Sequence, residues 1–192
     1  MEKEKEINVE ELTLTIPNSI KELTINDVKV FNKLMKVENL SDLERTAQLI
    51  AHFNKINIEE VRAFPIEVFN KVANVVIPLF TDLPKEKINI EDYRIIEIDG
   101  IKYGLEPNFK TIETGAYIDL VDLLSDVENN IEKIMAVLYR EVTKQNNILY
   151  NTKPYSTESD TSLELREKIF LDKMSYVVVR AVVNFTLRAI MK

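Results

Sequence analysis

Ile98-Asp99-Gly100-Ile101, set between the apolar runs Tyr93–Ile98 and Ile101–Glu106, is the stretch on which the reading of the fold turns. A two-residue type I′ turn needs positive φ at both central positions, and Asp-Gly supplies residue types that tolerate it. Closing the turn there sets Ile98 opposite Ile101, Glu97 opposite Lys102 and Ile96 opposite Tyr103. One face of the predicted hairpin is apolar and the other carries an opposite-charge pair.

Helical patterns surround it. Before the hairpin, Leu12, Leu14 and Ile16 alternate with threonines ahead of Pro17, which predicts a short N-terminal strand. Thr24 with Asp27 is a capping box opening a helix over about 25–36. Ser41 with Glu44 opens a second helix with Leu43, Ala47, Ile50 and Phe53 on its apolar face, and Asn57 with Glu60 starts a short turn. Pro65 stands at a first helical position, ahead of Ile66, Phe69, Ala73, Val76 and Phe80, and Pro78 is expected to end or kink that helix.

After the hairpin, Thr114 is read as the cap of a helix carrying Tyr117, Leu120, Val121 and Leu124. Ser125 with Glu128 then opens the cleanest amphipathic pattern in the chain, Ile131, Ile134, Met135, Leu138, Tyr139 and Val142, which is expected to cover the hairpin's apolar face. Asn146–Ser162 reads as an exposed loop. The last segment, from Leu165 to Ala189, reads as helix with a break near Asp172, its Val-rich middle being the only part that also fits a strand. The fold class is therefore α+β and predominantly α-helical. The charged, Pro84-containing segment Asp82–Glu91 suggests a boundary between an N-terminal helical unit over 1–82 and a hairpin-plus-helices unit over 92–192, or a loop within one domain.

Composition narrows the function. The 192 residues carry 25 Lys and Arg against 32 Asp and Glu, a formal net charge of −7. Nucleic-acid binding draws on phosphate neutralisation, so an acidic chain without a basic stripe is not read as a nucleic-acid protein. With no cysteine, thiolate nucleophiles and cysteine zinc sites are excluded. No apolar stretch reaches the length of a membrane span, and the charged start MEKEKEINVEE has no leader-like core, so a cytoplasmic protein without a membrane partner is expected.

Candidate chemistry is sparse. His52 is the single histidine, which rules out a histidine-based metal cluster and leaves a general base only if a partner orients it. Asp119, Asp122 and Asp126 recur at helical spacing as an acidic face, without the loop of a calcium site. Glycines at 100, 104 and 115 form no phosphate loop, and no nucleophile-elbow or zincin motif is present. The aromatics Tyr139 and Tyr150–Tyr155 sit in mixed charge and are read as packing residues. No catalytic residue, metal or cofactor is assigned, and a binding or assembly protein is the expectation.

Two sets of phrases carry a resemblance. Glu22-Leu23-Thr24, Leu49-Ile50-Ala51-His52-Phe53, Ile58-Glu59-Glu60-Val61 and Val68-Phe69 follow one another over about 70 residues in an order that resembles the tail assembly chaperones of long-tailed bacteriophages. Ile98–Gly104, Glu106-Pro107-Asn108-Phe109, Gly115–Leu120 and Met135–Arg140 look like a group of virion-module proteins of phages of Bacteroidetes-type hosts, which commonly continue Tyr-Arg with proline where this chain has Glu141. The resemblance implies a protein of the infected bacterial cytoplasm that binds the tape-measure protein and possible tail tube subunits, or else a structural component of the virion. A homo-oligomer is compatible with either. Val177, Val178, Ala181, Phe185 and Ala189 form the broadest apolar stripe and are the expected partner-binding face, with Arg180 and Arg188 at its edge.

The turn yields a direct test. Replacing Asp99-Gly100 by Val-Val puts β-branched residues at positive φ and is expected to cost roughly 1–3 kcal/mol per strained residue. An unfolding midpoint that does not move in a thermal melt refutes the assignment.

Overall fold

The computed structural model describes residues 5–9, 12–81, 88–106, 110–146 and 149–190. The fold is α+β and mainly helical, with a four-stranded antiparallel sheet and eight α-helices among the described residues. The chain divides into two compact units, Met1–Glu86 and Lys87–Lys192. Of the expected boundary segment, residues 82–87 lie outside the described residues.

The first unit opens with an antiparallel pair, β1 (Lys5–Val9) and β2 (Leu12–Ile16), in which Ile7 faces Leu14. The sequence pattern revealed β2 but not β1, whose charged start hides a short alternation. Leu14 and Ile16 are fully buried, and the Thr15 N–H donates to Asn54 Oδ1 at 2.7 Å, closing part of the outer edge of β2. Four helices follow: α1 (Ile25–Met35), α2 (Asp42–Asn54), α3 (Ile58–Arg62) and α4 (Ile66–Thr81). The capping boxes at Thr24/Asp27 and Asn57/Glu60 are both formed. Ser41 accepts from the Glu44 N–H alone. Lys55, in the left-handed conformation at φ 53°, ends α2. Pro78 lies inside α4 without terminating it, and the rings of Phe31 and Phe80 stack at 4.2 Å across α1 and α4.

In the second unit, β3 (Ile95–Ile98) and β4 (Ile101–Leu105) pair in the expected register, with Asp99 at φ 53° and Gly100 at φ 77°. Helices α5 (Thr114–Leu124) and α6 (Val127–Leu138) precede β5 (Tyr139–Gln145) and β6 (Tyr150–Thr152), and the sheet order is β3-β4-β5-β6. Two further helices, α7 (Asp160–Lys173) and α8 (Tyr176–Ile190), complete the unit, and the break expected near Asp172 falls at Met174-Ser175.

Four local expectations are corrected. Thr114 is the first residue of α5 and Glu113 occupies the cap position, its carboxylate being used elsewhere. Asp126, not Ser125, caps α6, because Ser125 is already the C-terminal cap of α5 and its hydroxyl donates to the Asp122 carbonyl. The helical pattern drawn through Tyr139 and Val142 stops at Leu138, and the chain passes directly into β5. Helix and strand periods coincide over Leu138, Tyr139 and Val142, so pairing with β4 decides. Tyr139 faces Leu105, Arg140 faces Gly104 and Glu141 faces Tyr103. Part of the expected loop Asn146–Ser162 is likewise strand β6, and residues 147–148 lie outside the described set.

Ile131, Ile134, Met135 and Leu138 are all buried, with α6 lying along α5 and α7. The ring seen on the hairpin's buried face comes from α7 instead: Phe170 meets Tyr103 edge-on at 5.0 Å and Tyr139 at 6.4 Å. Lys173 Nζ bonds Asp99 Oδ2 at 2.5 Å, tying the turn to the end of α7.

Gly104 marks a close approach. A Cβ there would lie 2.5 Å from Tyr150 Cε2, and Tyr150 is held by its hydroxyl donating to the Leu105 carbonyl at 2.6 Å. Gly104→Ala is therefore expected to destabilise the protein by roughly 1–3 kcal/mol, the usual range for overpacking. In denaturant titrations the loss should shrink in a Tyr150→Ala background; full additivity would show that the ring is not the obstacle.

Candidate functional site

Three constellations contain the side chains that chemistry would use. The first is around His52. Its Nε2 lies 2.7 Å from Asp27 Oδ1, while Asp27 Oδ2 accepts from both the Thr24 N–H at 2.7 Å and the Thr24 hydroxyl at 2.8 Å. Hydroxyl, carboxylate and imidazole are the residue types of a nucleophilic triad, but here they are wired in the wrong order. Such a triad needs the imidazole to take the hydroxyl proton, whereas Thr24 donates its proton to Asp27. Burial opposes ionisation of Asp27, but the hydrogen bonds from His52 and Thr24 outweigh it and hold its carboxyl below the ordinary range. The arrangement caps α1 and fastens it to α2. The open groove beside it, lined by Gln48, His52, Lys55 and Ile58, adds no second catalytic group.

The second is the acidic row, which the structure divides. Asp119 and Asp122 belong to α5, whereas Asp126 is the cap of α6, bonding the Asn129 N–H at 3.4 Å and Nδ2 at 2.8 Å. Asp119 accepts from the Tyr155 hydroxyl at 2.5 Å. Among the described residues no three His, Cys, Asp or Glu side chains gather as a metal would require.

The third is a buried charge cluster that the sequence reading missed. Arg140 on β5 is 4% exposed. It pairs through Nη2 with the equally buried Glu106 and through Nη1 with Glu113 Oε1 at 3.1 Å. Glu113 in turn accepts the N–H groups of Tyr155 at 2.5 Å and Ser156 at 3.0 Å. The Ser156 side-chain hydrogen bond, opposed by burial and reinforced by these N–H groups and by Arg140, lowers the Glu113 carboxyl to about 2. Nearby, Arg166 grips Glu158 with both Nη atoms and donates through Nε to the Ala136 carbonyl at 3.1 Å. These carboxylates have fixed partners, and the cluster is a lock. Its only trace in the sequence is charge at strand ends, which is commonplace.

The predicted partner-binding stripe is placed unevenly. Val177, Val178 and Ala181 are buried, as are Val179 and Val182. Phe185 is 40% exposed. The side chains of Arg188 and Ala189 lie outside the described set. A different apolar surface emerges on α5, where Tyr117, Ile118 and Val121 stand exposed. No helix among the described residues is long and apolar enough to cross a membrane. Comparison with family models, curated proteins and solved structures gives no match.

The charge cluster makes two measurable statements. Arg140→Ala removes the cation paired with buried Glu106 and is expected to cost about 3–5 kcal/mol, whereas Arg140→Met with Glu106→Leu recovers most of that loss. Because Glu113 titrates lower in the fold than its ordinary value of 4.5, its ionised form stabilises the protein above that pH. The contribution is lost as pH falls from there toward 2. Glu113→Gln should flatten this acid limb of the stability curve; an unaltered limb by denaturant titration refutes the linkage.

Proposed function

We propose that the chain is a non-enzymatic protein of phage tail morphogenesis, a tail assembly chaperone that binds the tape-measure protein, and tail tube subunits with it, in the cytoplasm of the infected bacterium. The observation that carries this reading is the coincidence of the resembling phrases with element boundaries in the first unit. Glu22-Leu23-Thr24 ends at the cap of α1, Leu49–Phe53 forms the last turns of α2, Ile58–Val61 lies within α3, and Val68-Phe69 lies in the first turns of α4. Strand, helix, helix, short helix and helix thus follow in the order the phrases imply. The wiring of Thr24, Asp27 and His52 supports a reading without catalysis.

A second reading, a virion structural protein such as a connector, tail-completion or packaged component, draws on the second unit. There the phrase Met135–Arg140 spans the junction of α6 and β5, and Ile98–Gly104 is the hairpin.

Co-expression with the tape-measure protein of the same phage separates the two. The chaperone should keep that long helical chain soluble and co-purify with it, and should be found in lysate and not in purified particles. Stoichiometric copies in particles favour the structural reading and refute the chaperone. Phe185, the exposed member of the C-terminal stripe among the described side chains, is the contact residue proposed on α8. Phe185→Asp should weaken tape-measure capture on the order of tenfold, about 1.4 kcal/mol, with an unchanged unfolding midpoint.

A further inference from the structure

We infer that the outer face of α5 is a docking surface for a basic amphipathic helix of a partner protein. An ordinary surface helix has one apolar stripe, and one apolar all round is covered all round. Helix α5 has an apolar stripe about 200° wide, covered on one side only. Ala116 and Leu120 are fully buried, while Tyr117, Ile118 and Val121 are 43%, 53% and 42% exposed. At about 100° per residue, Tyr117, Val121 and Ile118 fall within an arc of about 100° that begins about 60° from Leu120. Asp122 and then Asp119 border this arc beyond Ile118.

Charge selects the occupant. The carboxylates that α5 itself carries, Asp119 and Asp122, both stand on this border, and the helix has no lysine, arginine or histidine. Tyr155 donates a neutral hydroxyl to Asp119, so the border stays negative. A second copy docked through the same face would bring the Asp119 and Asp122 borders together, and like charges brought together at an interface disfavour the pairing. An anionic lipid surface is repelled in the same way. A partner helix with an apolar ridge flanked by Lys or Arg satisfies both parts of the surface, and a convex helix face accepts another helix by ridge-into-groove packing. The inference rests on the proposed reading of the chain as a partner-binding protein, but not on which protein the partner is.

The full chain can be titrated by fluorescence anisotropy with a labelled peptide of about 20 residues, long enough to sustain a helix, with leucines on one face and lysines flanking them. Two control peptides share its design, one with the residue order scrambled and one with glutamates for the lysines. The lysine peptide should bind, more weakly as salt rises, with the glutamate and scrambled peptides at least about tenfold weaker. Ile118→Ser with Val121→Ser should reduce binding by a similar factor, and Asp122→Lys, a change at an exposed position, should shift preference toward the glutamate peptide.

No binding, equal binding of the three peptides, or full binding by these variants overturns the inference. So does self-association of the chain, measured by sedimentation, that Ile118→Ser abolishes. Peptide binding without tape-measure capture refutes the proposed chaperone and leaves this surface standing. Tape-measure capture unaffected by the α5 substitutions, together with no peptide binding, refutes the surface alone.

Discussion

The buried guanidinium of Arg140 constrains more of the second unit than any apolar contact does. Moving a charge out of water costs several kcal/mol even after relaxation, so a buried arginine must find partners, and those partners must come from defined places. Glu106 at the end of β4 and Glu113 ahead of α5 meet that demand at the two Nη atoms. Their positions fix where β5 lies against β4 and where α5 begins. The Glu106 N–H also donates to the Leu138 carbonyl at 2.8 Å, and Arg166 Nε serves the Ala136 carbonyl. Carbonyls at the end of α6 that have no partner within the helix are thereby satisfied at the point where the chain turns into strand. The helix-to-strand junction, the sheet register and the packing of α7 on α6 are consequences of one set of polar contacts.

That dependence explains which parts were legible. The hairpin at Asp99-Gly100 and the boxes at Thr24 and Asn57 are local: turn type or cap follows from residues two or three apart, and nothing distant can override them cheaply. The end of α6 is not local. Leu138, Tyr139 and Val142 satisfy a helical period as well as an alternating one, and the choice depends on Gly104 and Glu106 more than thirty residues away. The misassigned caps at Thr114 and Ser125 have a related cause. Each stands next to an acidic residue able to take the same position, and Glu113 is drawn to the cap position by partners on the turn at Tyr155–Thr157. Strand β6 is three residues long and gave no periodic signal.

Function is harder to read for a different reason. Periodicity says that a helix has an apolar face but not what covers it. The stripe of α8 is broad, but Val177, Val178, Val179 and Val182 are all buried. Counting apolar residues therefore pointed to the helix with most of them. The useful quantity is the excess beyond what the unit itself can bury, and α8 uses most of its stripe internally.

By that measure α5 is the exception in its unit. Its buried face, Ala116 and Leu120, is enough to hold it against its neighbours, and Tyr155 secures it again through Asp119. Tyr117, Ile118 and Val121 contribute little to that attachment, yet they keep apolar surface in water on a helix whose polar residues are few. A protein under selection only for its own stability loses nothing by placing polar side chains there. Retaining large apolar groups on one arc and the carboxylates Asp119 and Asp122 on its border gives that face two complements, apolar burial and positive charge.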